Sequence, residues 1–297
     1  MRRLAPLLMF VALAARAEPV RVAVLMHAAA GGAEESSLRI ALDEAQAIDP
    51  SFIVVNGLKD AREPCTDRLY RQRKALLESA SAPVFLSMAG SDWVGCRDRQ
   101  GRPASAYWLN LLREQLYGDL RWNGSKRLPL KRQSALPAYR SYAENTRWAL
   151  GGVLFATLHL PAPNNHYVAS AGQNSEFEDR QTANRDWLRR LALAARVERR
   201  KAIVIFCDGN PLPSPLPGGG QRDGFDEVRK ALKTMAAKAQ VPVLVAQGPL
   251  PQGDAAIVAR GRLSVVNLKT GMNEIVIDPE ADVPFTLPDV AQGAGQQ

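Results

Sequence analysis

Short apolar runs alternate along the chain with longer segments whose apolar positions recur every three or four residues. Residues 20–26, 52–55, 84–88, 152–160 and 202–207 read as strands, because each is a compact β-branched or aromatic run bounded by turn-forming residues. Helical spacing appears over 34–47 and over 67–80, where Leu69, Leu76, Leu77 and Ala80 share a face. It returns over 177–199, with Trp187, Leu188, Leu191 and Ala195, and over 225–239, with Phe225, Val228, Leu232, Met235 and Ala239 on one stripe. From residue 241 onward only strands are predicted, over 241–246, 262–266 and 273–277. Strand and helix in alternation signal an α/β architecture. The expectation is two sheets faced by helices in one domain over 18–288, with the Pro/Gly-rich stretch 209–224 as a surface loop and 289–297 as a disordered tail.

The first residues follow a different pattern. Arg2 and Arg3 precede an apolar run over 4–15, and Ala15-Arg16-Ala17 supplies small residues at a cleavage position. Residues 1–17 therefore read as a signal peptide removed after Ala17, because the run falls well short of the ~20 apolar residues that span a bilayer. The mature chain is expected in the periplasm or outside the cell, and is not expected to span a membrane. Loss of Arg2, Arg3 and Arg16 lowers the formal charge from +8 to +5, too little to call for nucleic acid. With 46% hydrophobic and 23% charged residues the chain is globular, not disordered. Cys65 and Cys96 each lie in a loop beside a turn-forming residue and are expected to form a disulfide, with three free thiols as the alternative. Cys207 closes an apolar run and is expected to be buried and free.

Several words of the sequence carry a family resemblance. Phe52-Ile53-Val54-Val55-Asn56-Gly57-Leu58-Lys59, then Pro64-Cys65-Thr66-Asp67 and Arg73-Lys74-Ala75-Leu76, resemble exported bacterial members of the calcineurin-like metallophosphoesterase family. Ala89-Gly90-Ser91-Asp92-Trp93-Val94-Gly95-Cys96 resembles that group's G-D-N-E-W-x-x-C segment. Glu144-Asn145-Thr146-Arg147-Trp148, with Pro163-Asn164-Asn165 further on, resembles its E-N-x-R-W…G-S-N-N region, and Ala183-Asn184-Arg185-Asp186-Trp187-Leu188 resembles its A-N-x-x-W-L. The words fall in the family's order over nearly all of the mature chain. They imply a metallophosphoesterase-like two-sheet sandwich flanked by helices and a site holding two divalent cations, commonly iron, manganese or zinc, that activate water and clamp a phosphate ester.

The ligand positions depart from that pattern. The resemblance sets His27 opposite the first metal-binding Asp, and Gly57 or Leu58 opposite the bridging Asp. Gly90 and Ser91 replace the Asp and Asn of the third word, while Asp92 keeps an acidic position. Cys207 and Asp208 stand where a His is expected, and Gln247-Gly248-Pro249-Leu250 replaces the terminal His-bearing word. Only three histidines occur in the chain, and His159 and His166 match no ligand position. No cofactor is expected, the alternative being a single zinc, manganese or iron ion on His27, Asp92, Cys207 and Asp208. His27, Asp92 and Asp208 are the catalytic candidates. The bland reading of His27 is a hydrogen-bonded histidine under the next loop. Asn164, Asn165 and His166 are candidates for orienting an anion or a sugar, against an ordinary turn.

One basic segment adds a partner class. Arg121, Lys126, Arg127, Lys131, Arg132 and Arg140 lie with Trp122 and Tyr139 in a stretch without an acid, either a solvated loop or a surface for an anionic ligand or envelope component. No G-x-S-x-G elbow, Walker loop or H-E-x-x-H helix is present. The expected function is that of an exported phosphoesterase-fold protein that binds or interacts without catalysis; the alternative is a divergent phosphoesterase with a reduced metal site.

Overall fold

The computed structural model describes residues 18–29, 35–118, 128–170, 172–212, 222–249 and 255–288. The expected signal peptide and tail, and the segment 119–127 with Arg121, Trp122, Lys126 and Arg127, lie outside the described residues. The strands are β1 (Val20–Met26), β2 (Phe52–Asn56), β3 (Val84–Ser87), β4 (Lys131–Arg132), β5 (Thr146–Leu150), β6 (Val153–Thr157), β7 (Ala202–Phe206), β8 (Val243–Gln247), β9 (Ile257–Arg260), β10 (Leu263–Asn267), β11 (Gly271–Ile277) and β12 (Phe285–Thr286). The helices are α1 (Glu35–Ala47), α2 (Asp67–Glu78), α3 (Ser105–Tyr117), α4 (Ser175–Val197) and α5 (Asp226–Ala239).

Two sheets face one another, with strand orders β12-β11-β1-β2-β3 and β4-β5-β6-β7-β8-β10-β9. The chain is therefore a mixed α/β two-sheet sandwich flanked by helices. Strands β1, β2 and β3 run parallel, as do β6, β7, β8 and β10. Strand residues alternate between two buried environments. Val22, Val24, Phe52 and Val54 point between the sheets, where they meet Trp148, Phe155, Val204 and Phe206. Ala23, Leu25, Ile53 and Val55 point outward under α1, α2 and α3, while α4 and α5 cover the second sheet. Burial on both faces is why the central strands β1, β2, β3, β6, β7 and β8 read as continuous apolar runs without alternation. Phe85 stacks on Trp148 at 3.7 Å across the centre, and Phe52 meets both rings edge-on; such contacts add about 0.5–1.5 kcal/mol each beyond area burial.

A disulfide joins Cys65 to Cys96, with Cα atoms 5.6 Å apart, tying the loop after β2 to the loop after β3. Cys207 is buried and free. Beneath the bridge the buried Tyr70 of α2 donates to the Asp92 carbonyl at 2.5 Å. No helix among the described residues is long and apolar enough to cross a membrane.

Candidate functional site

Parallel strands deliver their following loops to one edge of the sandwich, the usual place for chemistry in such sheets. Here the loops after β1, β3, β6 and β7 meet on one carboxylate. Asp208, buried just beyond β7, accepts a 2.6 Å hydrogen bond from His27 Nε2 through Oδ1. Its Oδ2 accepts from the amides of Gly90 and Ala162, each at 2.7 Å. One side chain thus fastens the first sheet, through His27 and Gly90, to the second, through Ala162.

His27 sits in the left-handed region at φ 46°. Burial works against its charge, but the hydrogen bond and the nearby carboxylate of Asp208, with Asp92 and Asp60 farther off, outweigh it and raise the pKa above the ordinary 6.5. A histidine raised on folding contributes stability that is fully present below 6.5 and is lost as pH climbs through the folded value. Melting temperature should therefore fall as pH rises from 6.5 toward 9. His27→Gln should flatten that slope, as thermal melts across the range would show.

Asp92 lies apart from this pair in its bonding. Its Oδ1 accepts from the amides of Leu58 (2.7 Å) and Lys59 (3.3 Å), and its Oδ2 from Ala89 (3.0 Å). Full burial pushes its carboxyl up to about 6 against the pull of those amides. Cys207 faces the helix-covered core beside Leu158, Leu160 and Phe225, and its thiol contacts the Gly209 carbonyl at 3.5 Å. Burial, then the neighbouring Asp208, drive its pKa well above that of a free thiol, so it is no nucleophile at neutral pH.

Of the alternative metal set, His27 and Asp208 come together, while Asp92 and Cys207 are engaged elsewhere. Among the described residues no three His, Cys, Asp or Glu side chains are placed to hold a metal ion. The glycines at the resembled ligand positions are also needed as glycines. Gly57 adopts φ +82°, and a Cβ there would sit 3.2 Å from that of Ala89 and 3.6 Å from His27 Nδ1. A Cβ on Gly90 would overlap the Ala162 carbonyl, and one on Gly248 the Asp208 carbonyl. Where the family would need carboxylates around two cations, this chain packs backbone against backbone, so the residues present do not fit a dinuclear centre.

The framework words have structural tasks. Glu144, fully buried, accepts from Arg113 Nη2 at 2.6 Å and Nε at 3.0 and 3.1 Å, and from His159 Nδ1 at 2.9 Å. Burial, which outweighs the Glu144 hydrogen bond, lowers the His159 pKa and keeps the ring neutral; its Nε2 has no partner among the described residues. Asn145 links Gln133 (2.8 Å), Asn184 (2.9 Å) and the amide of His159 (2.9 Å), while Asn184 donates to the His159 carbonyl at 2.8 Å. The E-N and A-N words therefore hold the loop that presents Ala162 to Asp208.

Asn164 and Asn165 are turn residues here. With His166 they form three successive left-handed positions at φ 47°, 54° and 51°. Asn164 Oδ1 accepts from the Gly224 amide at 2.8 Å, Asn165 Nδ2 donates to the Gly224 carbonyl at 2.9 Å, and the buried Arg180 clasps Asn165. His166 is half-buried, edge-on to Trp93 with ring centroids 4.7 Å apart. In the basic segment, Lys131 reaches Glu198 at 3.6 Å, Arg132 donates to the Tyr117 carbonyl, and Arg140 is exposed.

No family model matches the chain, and no curated protein does. Among solved structures, TT1561 of Thermus thermophilus aligns with 88% of this chain and 95% of its own at 13% identity and a TM-score of 0.48. A second solved structure aligns with 91% of this chain and 99% of its own at 11% identity and a TM-score of 0.42. At these values neither carries an argument about what the chain binds or does.

Proposed function

We propose that the chain is an exported protein of calcineurin-like phosphoesterase fold that has given up the dinuclear centre and works by binding or interaction, without catalysis. The observation that supports this is the Asp208 junction. Asp208, one of the alternative metal candidates, is engaged by His27 and by two amides, and the loops around it pack too closely for added ligands. The Cys65–Cys96 bridge agrees with an oxidising compartment.

The test is direct. The mature protein, purified and dialysed against manganese, iron or zinc, should retain no stoichiometric metal by elemental analysis and should hydrolyse an aryl phosphate no faster than buffer. Stoichiometric metal together with turnover that disappears in His27→Ala would overturn the reading in favour of a divergent phosphoesterase.

A further inference from the structure

A broad cleft of about 1420 Å³ opens beside the disulfide, away from the Asp208 junction. Loops and helix starts line it. Asp67, Ser105 and Ser175 all border it, so α2, α3 and α4 begin there. Neither α3 nor α4 has a side-chain cap at its start; the first turn of α3 also holds no acid, so its positive pole borders the cleft unopposed, whereas Glu176 and Glu178 sit in the first turn of α4.

Charge follows the same direction. Six cationic side chains line the cleft against four acidic ones. The acids are engaged: Glu63 with Arg73 at 2.9 Å, Asp98 with Arg102 at 2.7 Å, Glu176 with Arg180 at 2.9 Å, and Asp67 more weakly with Gln115 at 3.3 Å. Arg68 and Arg99, by contrast, are exposed and have no acidic partner among the described residues. Aromatic surface accompanies the cations. Tyr107 is 63% exposed and stands edge-on to Trp108, and the buried Trp93, whose indole N–H has no partner among the described residues, lines the cleft with His166.

We propose that this cleft binds an acidic glycan, its sugar rings against Tyr107 and its carboxylates or sulfates in the forks of Arg68 and Arg99. The guanidinium fork matches planar or tetrahedral oxyanions in two-pronged fashion, and an exposed tyrosine offers an apolar face with a polar edge to a sugar ring. An acidic peptide is a poorer match, because among the described residues none of the named strands lines the cleft and the one bridge there, Arg97 with Pro103, is already paired. The inference deepens the binding-protein reading by naming a ligand class, on a surface separate from the junction that carries that reading.

Tryptophan fluorescence of the mature protein supplies the test, since Trp93 and Trp108 border the cleft. The probes are a galacturonate hexasaccharide, which offers carboxylates, and a heparin hexasaccharide, which offers sulfates. Neutral galactohexaose, hexaglutamate and a six-nucleotide oligo-dT serve as comparisons. At least one acidic hexasaccharide should bind more tightly than all three comparisons. The double variant Arg68→Ala/Arg99→Ala should weaken it at least about fivefold, as the loss of two exposed charge pairs would. Tyr107→Ala should weaken it as well, while the charge-matched Lys233→Ala/Lys238→Ala on α5 should leave it within about twofold. Absence of binding, equal loss in the α5 control, or equal or tighter binding of hexaglutamate or oligo-dT would each overturn the proposal. Aryl phosphate turnover in the same preparations reads the other conclusion separately: hydrolysis with intact glycan binding would sink only the non-catalytic reading.

Discussion

Asp208→Ala is expected to lower the stability of the protein by about 3–5 kcal/mol, the cost of leaving a buried partner of an ion pair uncompensated. Three donors lose their acceptor at once: His27 Nε2 and the amides of Gly90 and Ala162. The Asp208 side chain is fully buried and the His27 ring is only 16% exposed, so water reaches these groups poorly. Chemical denaturation should show the midpoint shifted to lower denaturant with the slope kept, which marks a change in stability and not in the surface exposed. Asp208→Asn separates charge from hydrogen bonding, because an amide oxygen can still accept while its NH2 group faces donors. If Asp208→Ala melted like the parent chain, the junction would not be what holds the two sheets' loops together.

Glu144→Gln should be of similar size, again about 3–5 kcal/mol, through a different network. The substitution keeps the shape but removes the charge that faces Arg113, whose side chain is only 10% exposed. Burial alone would raise the Glu144 pKa, yet Arg113 and His159 together hold it well below the ordinary 4.5. A carboxylate depressed on folding contributes stability that is present above 4.5 and is lost as pH falls through the folded value. His159, lowered by burial, adds to the loss on the acid side, because the unfolded chain takes up its proton first. Glu144 and His159 should therefore lower the parent protein's stability in acid, against the opposing proton uptake of folded Asp92, whose carboxyl is raised to about 6. Glu144→Gln should start lower at neutral pH and show a shallower acid slope, measurable by thermal melts from pH 7 to pH 3.

The central strands β1, β2, β3, β6, β7 and β8 were legible in the sequence because they are buried on both faces, whereas β10 and β11 alternate buried and half-exposed positions. The run from Val20 to Met26 needs no alternation when helices cover one side and the second sheet the other. Boundaries shifted by one to three residues: Asn56 and Gln247 pair their backbones in the ladder while their polar side chains obscure the pattern, and β6 ends at Thr157 although buried apolar residues continue to Leu160. α3 escaped the reading although Trp108, Leu109, Leu112 and Leu116 recur at helical spacing; it starts from Ala104, which offers no capping side chain to announce it. The β4 and β12 strands, two residues each, are too short for any periodicity.

The site was partly legible. His27 and Asp208 could each be placed at the end of a parallel strand, but their contact depends on how two separate sheets face one another, which no local spacing records. Glu144 and Asn145 were visible as members of a motif word. Their partners Arg113, Gln133 and Asn184 lie on α3, on a short turn and on α4, so the network is a property of packing.

The placement of β11 has a consequence for how the chain is made. It lies between β12 and β1, and pairs with β1 along seven residues, from Val20 opposite Ile277 to Met26 opposite Gly271. β1 therefore waits for a partner strand far along the chain. Until residue 277 has emerged, β1 keeps an unpaired edge and the layer between the sheets lacks Ile275 and Ile277. Contacts at such sequence separation slow folding, since the loop must be closed before they contribute. The first sheet should thus close only after residue 277 is in place, and that edge of β1 stays exposed until then.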